Sequence, residues 1–332
     1  MRKRLLGRTG LEVSELCLGT GTFGGLGNYK RSGEVDQAQA DVMVRTAIDN
    51  GINFFDTADT YSDGLAEKIL GKALGDLRKD IVLITKIAPG KEGLTRDHII
   101  RGCEESLTRL GTEYIDIYEL HIYDAGTPIE ETMGALDELV KSGKVRYIGC
   151  SNFSGWQLMK AQWTADVNGF TKFSTLEAKY SLMTRELENE LVPACLDQDI
   201  VILPYSPLYA GCLTGKYSRS KPWPKGTRFP SLTETARFPI DPDKLYGIVD
   251  VLEKIAADRE RPVSHVALRY LLEKPGVCSL MTAARNIEQL EANLAATDWD
   301  MTPEEISALD EVSEPVSLYP YSTQKNSLAF GR

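Results

Sequence analysis

The chain carries 332 residues, 42% of them apolar and 26% charged, with a formal net charge of −10 at pH 7. That length can bury a sizeable core, and the acidic balance argues against a non-specific nucleic-acid binder while leaving room for a local basic pocket. No apolar run approaches the roughly 18 residues a membrane helix needs. The basic start MRKRLLGRTGLEVSEL has no apolar core of the kind a signal peptide carries.

Short apolar runs rich in Val and Ile alternate with longer stretches of helical period. In chain order the strands are ELCLG (15–19), INFF (52–55), IVLIT (81–85), IDIYEL (115–120), VRYIG (145–149), FSTLEA (173–178), IVILPYS (200–206) and VCSLM (277–281). Helices are expected over 38–50, 64–74, 96–110, 129–142, 154–165, 185–198, 244–258 with 263–273, and 286–296. In the third of these, Ile100, Cys103, Leu107 and Leu110 recur at spacings of three and four, with Asp97 near the start and Gly111 placed to end the helix. In the fourth, Pro128 opens the segment, Glu130 and Glu131 sit in its first turn and Gly143 closes it.

The strands read as continuous apolar runs, as strands covered on both faces do, which implies a parallel sheet with helices around it. Eight β–α units in one chain favour a closed (β/α)8 TIM barrel of the α/β class over an open doubly wound sheet. One domain over 1–332 is expected, with a long loop after strand seven (209–242) and an irregular tail (314–332). Six cysteines, none in a CxxC pair, read as buried free thiols in a reducing cytoplasm.

GTGTFG at 19–24 matches GxGxxG after a strand, but GLGNYKRSGEV follows it and cannot start the helix a dinucleotide turn needs. The glycines still let the backbone approach a ligand closely. Active sites of such barrels stand at the C-terminal strand ends. There the chain offers Asp56 and Tyr61 after strand two, Lys86 after strand three, His121 after strand four, and Ser151 and Asn152 after strand five. Glu177 ends strand six, and Tyr205 and Ser206 end strand seven. Any one of these is bland: Lys86 reads equally as a surface lysine, His121 as a satisfied core histidine. Together they form a device. A carboxylate at Asp56 holds the Lys86 ammonium, the ammonium favours the Tyr61 phenolate, and His121 donates to a substrate oxygen. That suits protonating an alkoxide as it forms at a carbonyl, with the hydride supplied by a cofactor.

The stretches LGTGTFG, GINFFDTADTYSDGLAEKILGKAL, ITK, IDIYELH, GKVRYIGCSNFS, YSPLYAGCLTGKY and ARNIEQLEANLAA together resemble the aldo-keto reductase family over essentially the whole chain. The resemblance implies a barrel that binds NADPH or NADP+ extended across its mouth, without a Rossmann domain. It implies that Tyr61 is the proton donor, tuned by Lys86 and Asp56, and that His121 orients the carbonyl. Gly21, Thr22 and Phe23 line the mouth with Asp56. Ser151, Asn152 and Glu177 face the nicotinamide carboxamide, and Tyr205 stacks on the ring. Ser206, Pro207, Leu208, Gly211, Leu213 and Lys216 hold the pyrophosphate, with Arg228 a further clamp. Ala283, Arg285, Gln289 and Asn293 meet the adenosine end.

Two departures stand out. Members of the family often carry Gln at the position of Glu177, whose carboxylate only accepts hydrogen bonds. They often carry a Pro-Gly or Pro-Lys pair where this chain has Thr282 and Ala283, so Arg285 is left to meet a phosphate and favours NADPH over NADH.

The leading expectation is reversible reduction of an aldehyde or ketone. Tyr29, Trp223, Phe229 and Phe238 are candidate pocket-lining aromatics. A regulatory subunit with little turnover is the alternative, as are potassium-channel β subunits of the family. A Schiff-base lyase at Lys86 is a third class. A metal enzyme is disfavoured, because His98, His121 and His265 share no ligand spacing. The expected partner is a small carbonyl or alcohol, with neither nucleic acid nor membrane; the oligomeric state is open.

Overall fold

The computed structural model describes residues 1–30, 32–217, 219, 240–316 and 318–324. Arg228, Trp223, Phe229 and Phe238 lie outside the described residues. The chain opens with an antiparallel hairpin, β1 (Lys3–Leu5) and β2 (Glu12–Ser14). Eight parallel strands then alternate with helices: β3 (Leu16–Gly19), α1 (Gln37–Asp49), β4 (Phe54–Asp56), α2 (Leu65–Leu74), β5 (Val82–Ile87), α3 (Arg96–Leu110), β6 (Ile115–Leu120) and α4 (Ile129–Lys141). There follow β7 (Val145–Ser151), α5 (Gly155–Asn168), β8 (Phe173–Lys179), α6 (Leu191–Asp197), β9 (Val201–Tyr205), α7 (Pro242–Asp258), α8 (Val263–Leu272) and β10 (Leu280–Thr282). Helices α9 (Ile287–Leu294), α10 (Pro303–Val312) and α11 (Tyr321–Gln324) complete the chain. Strands β3 to β10 close a barrel, with β10 pairing β3 and β9. This is the (β/α)8 fold expected from the sequence.

Local signals explain most boundaries. Asp36 caps α1 in a reciprocal pair with Gln39, and Gly111 ends α3 in left-handed backbone (φ 63°). The helix expected over 185–198 is instead a single 3-10 turn, Glu186–Glu188, followed by the short α6. Pro193 accounts for the split: it lacks an N–H and is tolerated only in a first turn, so α6 begins just ahead of it. The hairpin and α10 were not anticipated. Yet α10 carries a plain start signal, Thr302 capping with Glu305 and Pro303 at the first helical position.

Two apolar layers hold the barrel. The larger packs the outward faces of the strands against the helices. The smaller fills the barrel itself with Cys17, Phe54, Val82, Ile84, Ile117, Leu203 and Met281, and Leu6 and Val13 of the hairpin arm close it from below. Toward the C-terminal strand ends the inward positions turn polar: Asp56, Lys86, Glu119, Ser151, Thr175 and Glu177 are all buried there. All six cysteines are free and buried. No helix among the described residues is long and apolar enough to cross a membrane.

Candidate active site

Tyr61 owes its position to an unusual turn. After β4 the chain runs through Ser62 (φ 51°), Asp63 (φ 54°) and Gly64 (φ 80°), three successive residues in left-handed backbone, before α2 begins. Such backbone is costly for non-glycine residues and persists only when its surroundings hold it. The Ser62 hydroxyl donates to the Phe23 carbonyl at 2.6 Å and accepts from the Leu26 N–H at 3.2 Å, tying this turn to the loop after β3. At Gly64 a Cβ would lie 2.8 Å from Arg109 Cδ, so the turn closes only on glycine.

The four expected catalytic side chains converge. Lys86 Nζ ion-pairs with Asp56 Oδ1, donates to the Thr57 carbonyl at 3.1 Å and lies 3.4 Å from the Tyr61 hydroxyl. Lys86 is fully buried. Burial works against its charge, but Asp56 and Glu177 outweigh burial and hold the ammonium well above the ordinary lysine range. Burial pushes Asp56 up to about 7 against the pull of Lys86. The ring of His121 meets the Tyr61 ring edge-on, with centroids 5.7 Å apart. Burial, then the Lys86 charge, drives the imidazole down to about 3, so it is neutral at physiological pH and has one N–H to give. Thr60 Oγ1 lies 3.3 Å from its Nδ1. A hydroxyl donating there leaves the proton on Nε2.

One expectation is corrected. The ammonium does favour the Tyr61 phenolate, yet burial and the Asp56 and Glu177 carboxylates more than offset it, and the phenol sits well above its ordinary value. Tyr61 therefore stays protonated across the neutral range. An alkoxide is the stronger base, so a phenol remains a competent donor to it.

A cavity of about 800 Å3 opens above this cluster, lined by Gly21, Tyr29, Tyr61, His121, Asn152, Tyr205 and their neighbours. Tyr29 stacks obliquely on Tyr61, with centroids 4.8 Å apart, so one of the four aromatics proposed to line the pocket does so. The Tyr205 hydroxyl donates to Asn152 Oδ1 at 2.8 Å, and Asn152 Nδ2 donates to Ser151 Oγ at 2.8 Å and to the His121 carbonyl at 3.0 Å. This chain of contacts fixes the wall beside the catalytic group.

A second cavity of about 500 Å3 shares Thr22, Ser206 and Ala283 with the first and continues past Pro207, Leu208, Gly211 and Lys216 to Arg285, Gln289 and Asn293. Backbone at Ser206 (φ 53°), Tyr209 (φ 48°), Ala210 (φ 54°) and Gly211 (φ 90°) curls along it. A Cβ on Gly211 would come within 2.8 Å of Lys216 Nζ, so glycine leaves room for the ammonium. An aromatic and an amide at one end, a curled loop with a lysine in the middle and an arginine at the far end fit an extended dinucleotide. Phe23 and Leu213 belong to the hydrophobic core and line neither cavity; Phe23 contributes only its carbonyl, to Ser62. Glu177 reaches the cavity wall, but its carboxylate is engaged with Lys86 at 3.0 Å rather than facing an incoming amide.

Three contributors escaped the sequence reading. Thr60 sits inside the polar cluster after β4 and Lys179 at the end of β8, where strand-end position alone marked them. Glu119 is, with Asp116, one of two acidic residues in a fully buried strand, and that anomaly was the available signal. Among the described residues no cluster of His, Cys, Asp or Glu is arranged to hold a metal ion.

The model of the Aldo/keto reductase family matches residues 15–314, and the chain belongs to that family. It is 35% identical over 329 residues to an uncharacterized oxidoreductase, YrpG, of Bacillus subtilis, covering 94% of this chain and 96% of the other. It is 31% identical to the versiconal hemiacetal acetate reductase of Aspergillus parasiticus, covering 95% and 98%. Among solved structures, the thermostable aldo-keto reductase Tm1743 in complex with the inhibitor epalrestat superposes with a TM-score of 0.76 at 30% identity, covering 94% of this chain and all of that one. The protein is thus an oxidoreductase of the carbonyl-reducing kind.

Proposed function

We propose that the protein reversibly reduces an aldehyde or ketone to an alcohol with NADP(H), with Tyr61 as general acid in reduction and general base in oxidation. The observation that carries this reading is Lys86, buried between Asp56 and the Tyr61 hydroxyl beneath a cavity with neutral His121 on its wall. A reduced nicotinamide bound against Tyr205 would supply the hydride. His121 Nε2–H holds the carbonyl oxygen, and Tyr61 delivers its proton to that oxygen as charge develops. Lys86 stabilises the phenolate left behind, and Asp56 keeps Lys86 charged.

Arg285 supports NADPH over NADH, since a guanidinium matches a phosphate monoester in planar, two-point fashion. Arg285 already donates to the Ser32 carbonyl at 2.9 Å, which holds it at the rim of the second cavity. Six free, buried thiols suit a reducing, cytoplasmic setting.

The test is NADPH consumption over a carbonyl panel with the parent protein and Tyr61→Phe. Loss of kcat by roughly 100- to 10,000-fold with cofactor affinity retained is the expected result for a missing general acid. Equal rates in the two would overturn the assignment. Little turnover in the parent on every carbonyl, with tight NADPH binding, would favour the regulatory alternative. Separately, Arg285→Ala is expected to raise the KM for NADPH at least tenfold and leave that for NADH nearly unchanged.

A further inference from the structure

Register places Lys86 opposite Glu119, Glu119 opposite Gly149, and Gly149 opposite Thr175, one row across β5 to β8. Glu177, two residues beyond Thr175, stands opposite Ser151. Gly149 has no side chain, and the gap is filled: Thr175 Oγ1 donates across it to Glu119 Oε1 at 2.6 Å. A Cβ at 149 would fall 2.0 Å from that hydroxyl and 2.8 Å from Glu119 Oε1. Glu119 is fully buried and Glu177 is 4% exposed.

Glu119, drawn toward β8 by its bond from Thr175, stands beside Glu177, two residues further along the same strand. No hydrogen bond reaches Glu119 Oε2, and the partner of Glu177 Oε2 is the Lys86 ammonium, 3.0 Å away. Two neighbouring buried carboxylates repel each other when both are ionised, which favours one of them holding a proton. Charge counting agrees. Lys86 is already matched by Asp56, which leaves two further buried carboxyls beside a single ammonium. Burial pushes Glu119 and Glu177 each up to about 7. The groups facing the pair are Cys17 on β3, Asp56 on β4, Lys86 on β5, Cys150 on β7 and Tyr205 on β9, with Tyr61 and His121 beyond Lys86. Lys86 is the one cation among them.

We propose that Glu119 and Glu177 share a single buried proton, and that this pair acts through Lys86 as a positioning element that sets how readily Tyr61 gives up its own proton. With its proton in place the pair carries one negative charge; without it, two. Each added negative charge beside Lys86 opposes the ammonium's field at the Tyr61 oxygen. The pair thereby holds the phenol protonated, which biases the site toward reduction. This deepens the proton-donor reading of Tyr61 and rests on it for its functional meaning.

Infrared difference spectra of the protein without cofactor test the proton directly. At neutral pH the parent must show a protonated-carboxyl band that shifts in deuterated water, and the band must lose intensity in Glu119→Gln relative to an Asp56→Asn control. Absence of the band in the parent overturns the proposal even if no variant folds, and so does an unchanged band in a folded Glu119→Gln. Coupling to Tyr61 is read from tyrosinate absorbance against pH, as the difference between each background and the same background carrying Tyr61→Phe. Glu177→Gln is expected to move the Tyr61 ionisation to lower pH by about one unit or more. Glu177→Asp, which keeps the charge but disturbs packing more, is expected to move it less. An unmoved ionisation in Glu177→Gln, or equal shifts in the Gln and Asp variants, would reduce the pair to a packing role. Neither readout depends on turnover, so failure of the reductase reading leaves the proton result standing.

Discussion

Thr60 lines the cavity and contacts the His121 imidazole. Its hydroxyl, 3.3 Å from Nδ1, would leave the hydrogen on Nε2 when it donates there. Thr60→Val keeps the shape and removes the donor. It is expected to lower kcat for carbonyl reduction by up to about tenfold, the scale of one hydrogen bond of roughly 1 kcal/mol, with the KM for NADPH unchanged; steady-state kinetics with cofactor and carbonyl varied separately check this. At this scale the sequence was most legible where the chemistry is most demanding. Asp56, Tyr61, Lys86 and His121 stand at successive strand ends and meet as expected. What it concealed was the balance of forces on them. The sign of the Tyr61 displacement depends on how deep the ring lies and on Glu177 being turned to Lys86, and neither follows from residue order.

Among the elements, β7 serves the site twice, with Ser151 at its end and with the gap left at Gly149. Glycine in a strand interior is weakening in itself, and Gly149 is there because its neighbours Glu119 and Thr175 occupy the space a side chain would need. Gly149→Ala is expected to destabilise the fold by about 1–3 kcal/mol through overpacking, measured by denaturant unfolding. Strands and most helices were readable because hydrophobic period and caps are local signals, as at Asp36 and Gly111. The split before α6 was missed because Pro193 was read as part of one long period. The pairing of β1 with β2 was missed because three-residue strands carry no period to detect.

The whole molecule divides the barrel interior by height. Apolar residues fill the lower part and charged ones the upper, so the same inward positions give stability at one end and chemistry at the other. Leu6→Ala tests that division. It is expected to cost about 2–5 kcal/mol of unfolding free energy, from cavity formation in the lower cluster, while kcat of the folded fraction stays near that of the parent. Chemical denaturation and active-site-normalised rates would be compared.

The N-terminal hairpin gives this arrangement a directional consequence. Among the described residues, Leu6, Val13 and the packed lower barrel stop the far end, and the cavity above Tyr61 opens at the C-terminal strand ends. A molecule lodged between Tyr29 and Tyr205 would therefore obstruct arrival at Tyr61 and departure from it alike.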